Sequence, residues 1–271
     1  MGASSSFQTI MPLPIPSPLS KALLVLLGTI SGALPLLAES PAPDNNAMTS
    51  GPAPAGKPWE PAWGFWPDYP ADWQRTHWGF VEKTKAGGWD VLFLGDSITK
   101  NWMQQGRPVW DAHYEPLHAL DIGIGGDTTR QTLWRIEHGA LNGAQPKVIV
   151  LMIGVNNVNA RAATAEEIAK GISEILAQIE ARLPQSKILL LSVLPVGNPS
   201  LNPEVQKVNA LLPKLEGGKV RFLDLTSLFA TPDGKLILEN YKPDQLHLLE
   251  PGYVAIDKAL YPVLLEMLKN S

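Results

Sequence analysis

The chain has 271 residues, 45% of them apolar and 18% charged, an ordinary globular composition with enough apolar material for one sizeable core. A formal charge of −4 and the lack of any Lys/Arg run leave no electrostatic footprint for nucleic acid as a partner. With no cysteine, disulfides, thiolate nucleophiles and Cys-ligated zinc are excluded.

Residues 22–38 form an uncharged apolar stretch between Lys21 and Glu39, the pattern of a secretory signal peptide. Gly28, Gly32 and Pro35 suit a cleaved segment better than a permanent span. Cleavage near Ala38 is expected, with a secreted or periplasmic product. An uncleaved membrane anchor is the alternative, and the only route to a membrane. The polar leader is long for a signal peptide, and Leu36 is large for its place before the cut; a start at Met11 would shorten the leader. Residues 39–60, rich in Pro, Ala and Gly, read as a flexible linker ahead of one domain over 61–271.

A helix is predicted from Trp73 to Ala86, followed by the short apolar run Val91 to Leu94 that ends at Gly95. Continuous apolar runs of this length mark strands buried on both faces. Similar runs recur at 119–124, 148–153, 188–194 and 220–225. Between the third and fourth, Thr164 and Glu167 make a capping box, and Ile168, Ile172, Ile175, Ile179 and Leu183 fall on one helical face. A last helix is expected from Pro251, burying Ile256, Leu260, Leu264 and Met267. Strand alternating with helix predicts an α/β fold, a three-layer α/β/α sandwich around a parallel sheet of about five strands. Ligands of such sheets bind beyond the carboxyl ends of the strands.

Four segments stand at those ends. Gly95-Asp96-Ser97 follows the first strand and Gly123-Ile124-Gly125-Gly126-Asp127 the second. Gly154-Val155-Asn156-Asn157 follows the third, and Asp244-Gln245-Leu246-His247 lies near the C-terminus. A serine becomes a useful nucleophile only when an imidazole takes its proton and a third group orients that imidazole; Ser97, His247 and Asp244 are the right types. Glycine lets backbone N–H groups approach a developing oxyanion, and an Asn amide is a second kind of donor. Each segment also has a plainer reading: Ser97 or Asp244 as a helix cap, Asn156 and Asn157 as turn formers, the glycines as a pyrophosphate turn. Against the last, Thr128 stands where a third fingerprint glycine belongs, and no Gly-Lys-Ser/Thr follows.

Together these four blocks resemble those of the SGNH, or GDSL, serine hydrolases over roughly residues 89–268. The run from Pro116 through Gly126-Asp127-Thr128-Thr129-Arg130 to Trp134-Arg135, with Pro146 to Val150, is similar to the catalytic alpha subunits of platelet-activating-factor acetylhydrolase. The resemblance implies a flavodoxin-like fold, Ser97 as nucleophile, His247 as base and Asp244 as its orienting acid. It further implies oxyanion donors from the Ser97 N–H, the Gly126 N–H and the Asn156 side chain, with Asp96 holding the turn and no cofactor. Asn157 follows the acetylhydrolase subgroup, where the wider family has Asp. The expected activity is hydrolysis of short-chain acyl esters, acetyl foremost, on a small-molecule, polysaccharide or lipid substrate. A platelet-activating-factor-type lipid acetylhydrolase or lysophospholipase is the alternative, and a non-catalytic carbohydrate-binding module the alternative of another class. The apparent signal peptide and the Trp-rich segment from Trp59 to Trp78 depart from a cytosolic lipid acetylhydrolase. Trp73 and Trp78 are expected to pack the first helix onto the domain rather than to stack sugars. His113, His118 and His138 show no metal-ligand spacing, and a homodimer is compatible with the sequence.

Overall fold

The computed structural model describes residues 56–63 and 70–269. The expected signal segment 1–38 and most of the linker lie outside the described residues.

Five strands make one parallel sheet: β1 (Val91–Gly95), β2 (Ala119–Asp121), β3 (Val148–Met152), β4 (Lys187–Leu191) and β5 (Val220–Leu223), in the order β2-β1-β3-β4-β5. Every residue of β1, β2 and β3 is buried, which is why β1 and β3 read as unbroken apolar runs, while β2 buries Asp121 along with Ala119 and Leu120. The helices are α1 (Pro70–Ala86), α2 (Ser97–Lys100), α3 (Arg107–Val109), α4 (Thr129–Glu137), α5 (Val155–Ala160), α6 (Ala165–Arg182), α7 (Asn202–Leu211) and α8 (Glu250–Lys269). Right-handed crossovers send the helices that follow β2, β3 and β4 to one face, where α4, α6 and α7 pack together. The β1–β2 connection goes to the other face, where α3 meets α8. The predicted three-layer sandwich is the observed architecture.

The sixth helix shows how local signals set an element. Thr164 caps it by accepting the Glu167 N–H, while the Glu167 side chain accepts the Thr164 N–H. Such a cap stabilises a helix by about 1 kcal/mol. Ile168, Ile172, Ile175 and Ile179 then bury completely against the sheet, and truncating any one to alanine costs roughly 2–5 kcal/mol.

Several boundaries differ from the predicted ones. The second strand stops at Asp121 because that carboxylate turns back to accept the Gly123 N–H at 2.7 Å. Beyond β4, the Val193 backbone is bracketed by the Asn209 amide, at 2.9 and 2.8 Å, rather than by a neighbouring strand. The last helix begins at Glu250, one residue before Pro251. Residues 56–60, placed in the flexible linker by composition, are held against the domain. The Pro58 carbonyl accepts from Thr129 Oγ at 2.7 Å, the Glu60 carbonyl from Arg130 Nε at 3.0 Å, and Lys57 pairs with Glu167.

Candidate active site

The sheet order places a topological switch point between β1 and β3, where the chain leaves β1 for β2 and later β3 on opposite sides. A crevice opens at such a point beyond the carboxyl ends of the strands. Ser97 stands there, two residues past the end of β1. Its neighbour Asp96 takes the cap position, accepting the Ile98 N–H at 2.9 Å, so the serine is not consumed as a cap. Burial pushes the Asp96 carboxyl up to about 7. The Ser97 hydroxyl is left facing the crevice.

Gly123 allows the second loop to reach the serine. A Cβ there would sit 2.9 Å from the Asp96 carbonyl oxygen and 2.9 Å from Thr99 Cβ, distances that side chains do not tolerate. With only hydrogen at that position, Ile124 to Gly126 lie along the start of α2. Gly126 itself has φ +82°, a left-handed conformation that glycine adopts without strain.

The third component is a hairpin loop, closed by its own backbone bonds and anchored to the segment after β4, where the Gly197 N–H donates to the Gln245 carbonyl at 2.8 Å and Tyr241 Oη to the Pro195 carbonyl at 2.8 Å. Tyr241 and Leu248 bridge antiparallel, Lys242 N–H donates to the His247 carbonyl at 2.8 Å, and Gln245 takes φ +54° at the tip. Inside it, Asp244 Oδ1 accepts the N–H groups of Leu246 (3.0 Å) and His247 (2.9 Å). Asp244 therefore caps its own loop, not α8. Its Oδ2 lies 2.7 Å from His247 Nδ1. A carboxylate can only accept, so the proton is on Nδ1, and Nε2 is left to accept from the Ser97 hydroxyl at 2.9 Å. Partial burial works against the Asp244 charge, but the His247 ring and the two backbone N–H groups outweigh it and hold the carboxyl below its usual range. Residues 150 positions apart meet in one hydrogen-bonded chain.

Asn156, in the first turn of α5, donates from Nδ2 to the Asp127 carbonyl at 2.8 Å. Its neighbour Asn157 is turned away from the crevice, accepting the Thr129 N–H and donating to Thr129 Oγ. The Asp127 carboxylate is fully buried and clamped on both oxygens, by Trp73 Nε1 at 2.6 Å and Arg135 Nη1 at 2.7 Å. Burial pushes this carboxyl up, against the pull of the Arg135 cation and the Trp73 N–H. Arg135 also donates to the Ile122 carbonyl. This clamp was not predicted as part of the site. Asp127 and Arg135 lie in the run that resembles the acetylhydrolase subunits without an assigned role, and Trp73, 54 residues before Asp127, carries only a packing signal in the sequence.

A cleft of about 450 Å³ collects the site, its walls including Ser97, Gly126, Asn156 and His247, with Trp73, Lys100 and Lys242 around them. The other histidines are engaged elsewhere. His77 is buried and contacts the His138 carbonyl, His113 pairs with Asp257, His118 lies near Asp90, and His138 stacks on Trp134.

The sequence model of the GDSL-like lipase/acylhydrolase family matches residues 93–255. Platelet-activating factor acetylhydrolase IB subunit alpha2 of Rattus norvegicus is 41% identical over 206 residues, covering 73% of this chain and 86% of that protein. Subunit alpha1 of Pongo abelii is 37% identical over 201 residues, covering 72% and 84%. Among solved structures, a GDSL-like lipase from Bacteroides thetaiotaomicron superposes with a TM-score of 0.59 at 20% identity, over 74% of this chain and 99% of that one. That likeness is one of fold. The family match and the identity to the acetylhydrolase subunits carry the assignment: the chain belongs to the GDSL-like lipase/acylhydrolase family and is a hydrolase of ester bonds.

Proposed function

We propose that Ser97, His247 and Asp244 hydrolyse short-chain acyl esters, acetyl esters foremost, through an acyl-enzyme. One observation carries the reading: the 2.9 Å contact of Ser97 Oγ with His247 Nε2, continued by the 2.7 Å contact of Nδ1 with Asp244. His247 Nε2 takes the hydroxyl proton as Oγ attacks the acyl carbon, and the carbonyl oxygen becomes an oxyanion. Collapse expels the alcohol, protonated by His247. Water, deprotonated by the same nitrogen, then attacks the acyl-enzyme and releases the acid.

The oxyanion is assigned to the N–H groups of Ser97 and Gly126 and to the Asn156 amide. An amide nitrogen has two N–H donors; the Asp127 carbonyl takes one, leaving the other for the cleft. Asp96 acts only by shaping the turn. The acetyl preference draws on the name of the alpha2 relative, an acetylhydrolase. That same identity favours a second reading, in which the alcohol belongs to a platelet-activating-factor-type lipid.

The test is Ser97→Ala assayed on phenyl acetate. A loss of roughly 10⁴ to 10⁶ in turnover is expected. Retention of more than a few per cent would remove Ser97 from the nucleophile's role.

A further inference from the structure

The cleft walls carry more positive than negative charge. Lys100, at the end of α2, and Lys242, at the base of the Asp244–His247 loop, both line it. Among the described residues neither ammonium has a carboxylate partner, although Arg107, Lys147, Arg221 and Lys235 each do. The one acidic residue in the walls, Asp72, is paired with Arg75 at 2.9 Å. Two cations outside any ion pair thus flank the serine, against the single carboxylate of Asp244 behind His247, in a chain whose formal charge is −4. Charge of one sign at the mouth of a low-dielectric cleft concentrates ligands of the other sign.

Lys100 also forms the wall of a second groove, of about 830 Å³, so the two depressions are contiguous across its side chain. This groove is lined by Trp89, Met103 and Trp110, with Lys83 at its edge. Its one guanidinium, on Arg107, is already paired with Asp111 and Glu115, and its one buried carboxyl, on Asp121, is pushed up to about 8 by burial. The groove therefore continues the positive surplus on an apolar floor.

We infer that the alcohol portion of the substrate is anionic. It is held between Lys100 and Lys242 as the acyl group meets Ser97, and it runs over Lys100 into the groove beneath Trp89. The inference rests on the serine reading above and names the substrate class for that site. A carboxylate of a uronic acid and a phosphate monoester share the required chemistry.

The test compares matched esters: phenyl acetate and its para-sulfonate, acetylated methyl glucoside and the corresponding glucuronide, and acetylated glycerol and acetylated glycerol phosphate. The quantity read is the ratio of kcat/KM for the charged over the neutral member. In the native enzyme that ratio should exceed one in at least one pair, and the pair with the larger ratio distinguishes the uronate from the phosphate. Partly exposed charge pairs are each worth a few-fold at most, so Lys100→Gln with Lys242→Gln should lower the ratio roughly three- to tenfold. Raising the salt from about 0.05 to 0.5 M, which shortens the screening length, should lower it in the native enzyme as well. Ratios of one or below in all three pairs, or a ratio untouched by the double substitution, overturn the inference. The serine reading stands or falls separately, on loss of neutral phenyl acetate hydrolysis in Ser97→Ala.

Discussion

Trp73→Phe tests whether the buried clamp on Asp127 supports the site. The substitution removes the indole N–H that donates to Asp127 Oδ1 at 2.6 Å and leaves the Arg135 contact to Oδ2 in place. Neither Asp127 nor Arg135 has any exposed side-chain surface, so water cannot replace the missing donor without rearrangement. Loss of a hydrogen bond to a charged acceptor costs about 1.5–3 kcal/mol, and the smaller ring adds a packing loss on the order of 1 kcal/mol. The sum, roughly 2.5–4 kcal/mol, corresponds to a fall in Tm of about 5–16 °C at the 2–4 °C per kcal/mol typical of domains this size. Because the Asp127 carbonyl holds the Asn156 amide, kcat on an aryl acetate should fall about tenfold as that donor loses its aim. Calorimetry and steady-state kinetics on the same preparation give both numbers. Coupling with Arg135→Met supplies the control, since both substitutions act on one carboxylate and should be non-additive by about 0.5–3 kcal/mol. A Trp73→Phe enzyme that melts within about 1 °C of the native protein, with additive behaviour in the double variant, would refute the clamp.

Two further outcomes follow from the geometry. Asn156→Ala should lower kcat by roughly 10² to 10³, the worth of one oxyanion donor; single-turnover acylation measures it, and a change under threefold would exclude the amide from that role. Asp121→Asn should alter the pH dependence of stability. Burial raises the Asp121 carboxyl from 3.8 to about 8, so between those values the unfolded chain holds it ionised while the fold holds it protonated. Its stabilising contribution is complete below pH 3.8 and is lost as pH rises to about 8, by on the order of 1 kcal/mol per unit. Urea denaturation from pH 5 to 9 should show the variant gaining on the native protein up to about pH 8 and no further; parallel curves would contradict this.

Much of this was legible in the chain because the informative features are local. Glycine and serine after an apolar run, and an acid three residues from a histidine, announce a strand end and a paired acid and base without any knowledge of distant contacts. The Thr164 capping box and the isoleucine stripe of α6 are equally local, and both are found as expected. What escaped depends on contacts between distant segments. Nothing in sequence marks Trp73 as a donor to Asp127, 54 residues on, because an indole on a helix reads as packing whatever its nitrogen touches. The end of β2 was misjudged for a similar reason: Asp121 folds onto Gly123, and an apolar run does not record which way a carboxylate turns. Lys100 and Lys242 belong to no motif, and only the fold brings them to one cleft.

The loop from Tyr241 to Leu248 carries both Asp244 and His247 on a single hairpin, closed by its own backbone bonds. Acid and imidazole consequently travel as one body. Should that hairpin swing outward, the links that break are those to Ser97, to the Gly197 N–H that the Gln245 carbonyl accepts at 2.8 Å and to the Pro195 carbonyl under Tyr241 Oη, while the ring keeps its tautomer and its orientation. Return then needs no search for the correct ring pose, only for the hairpin's seat.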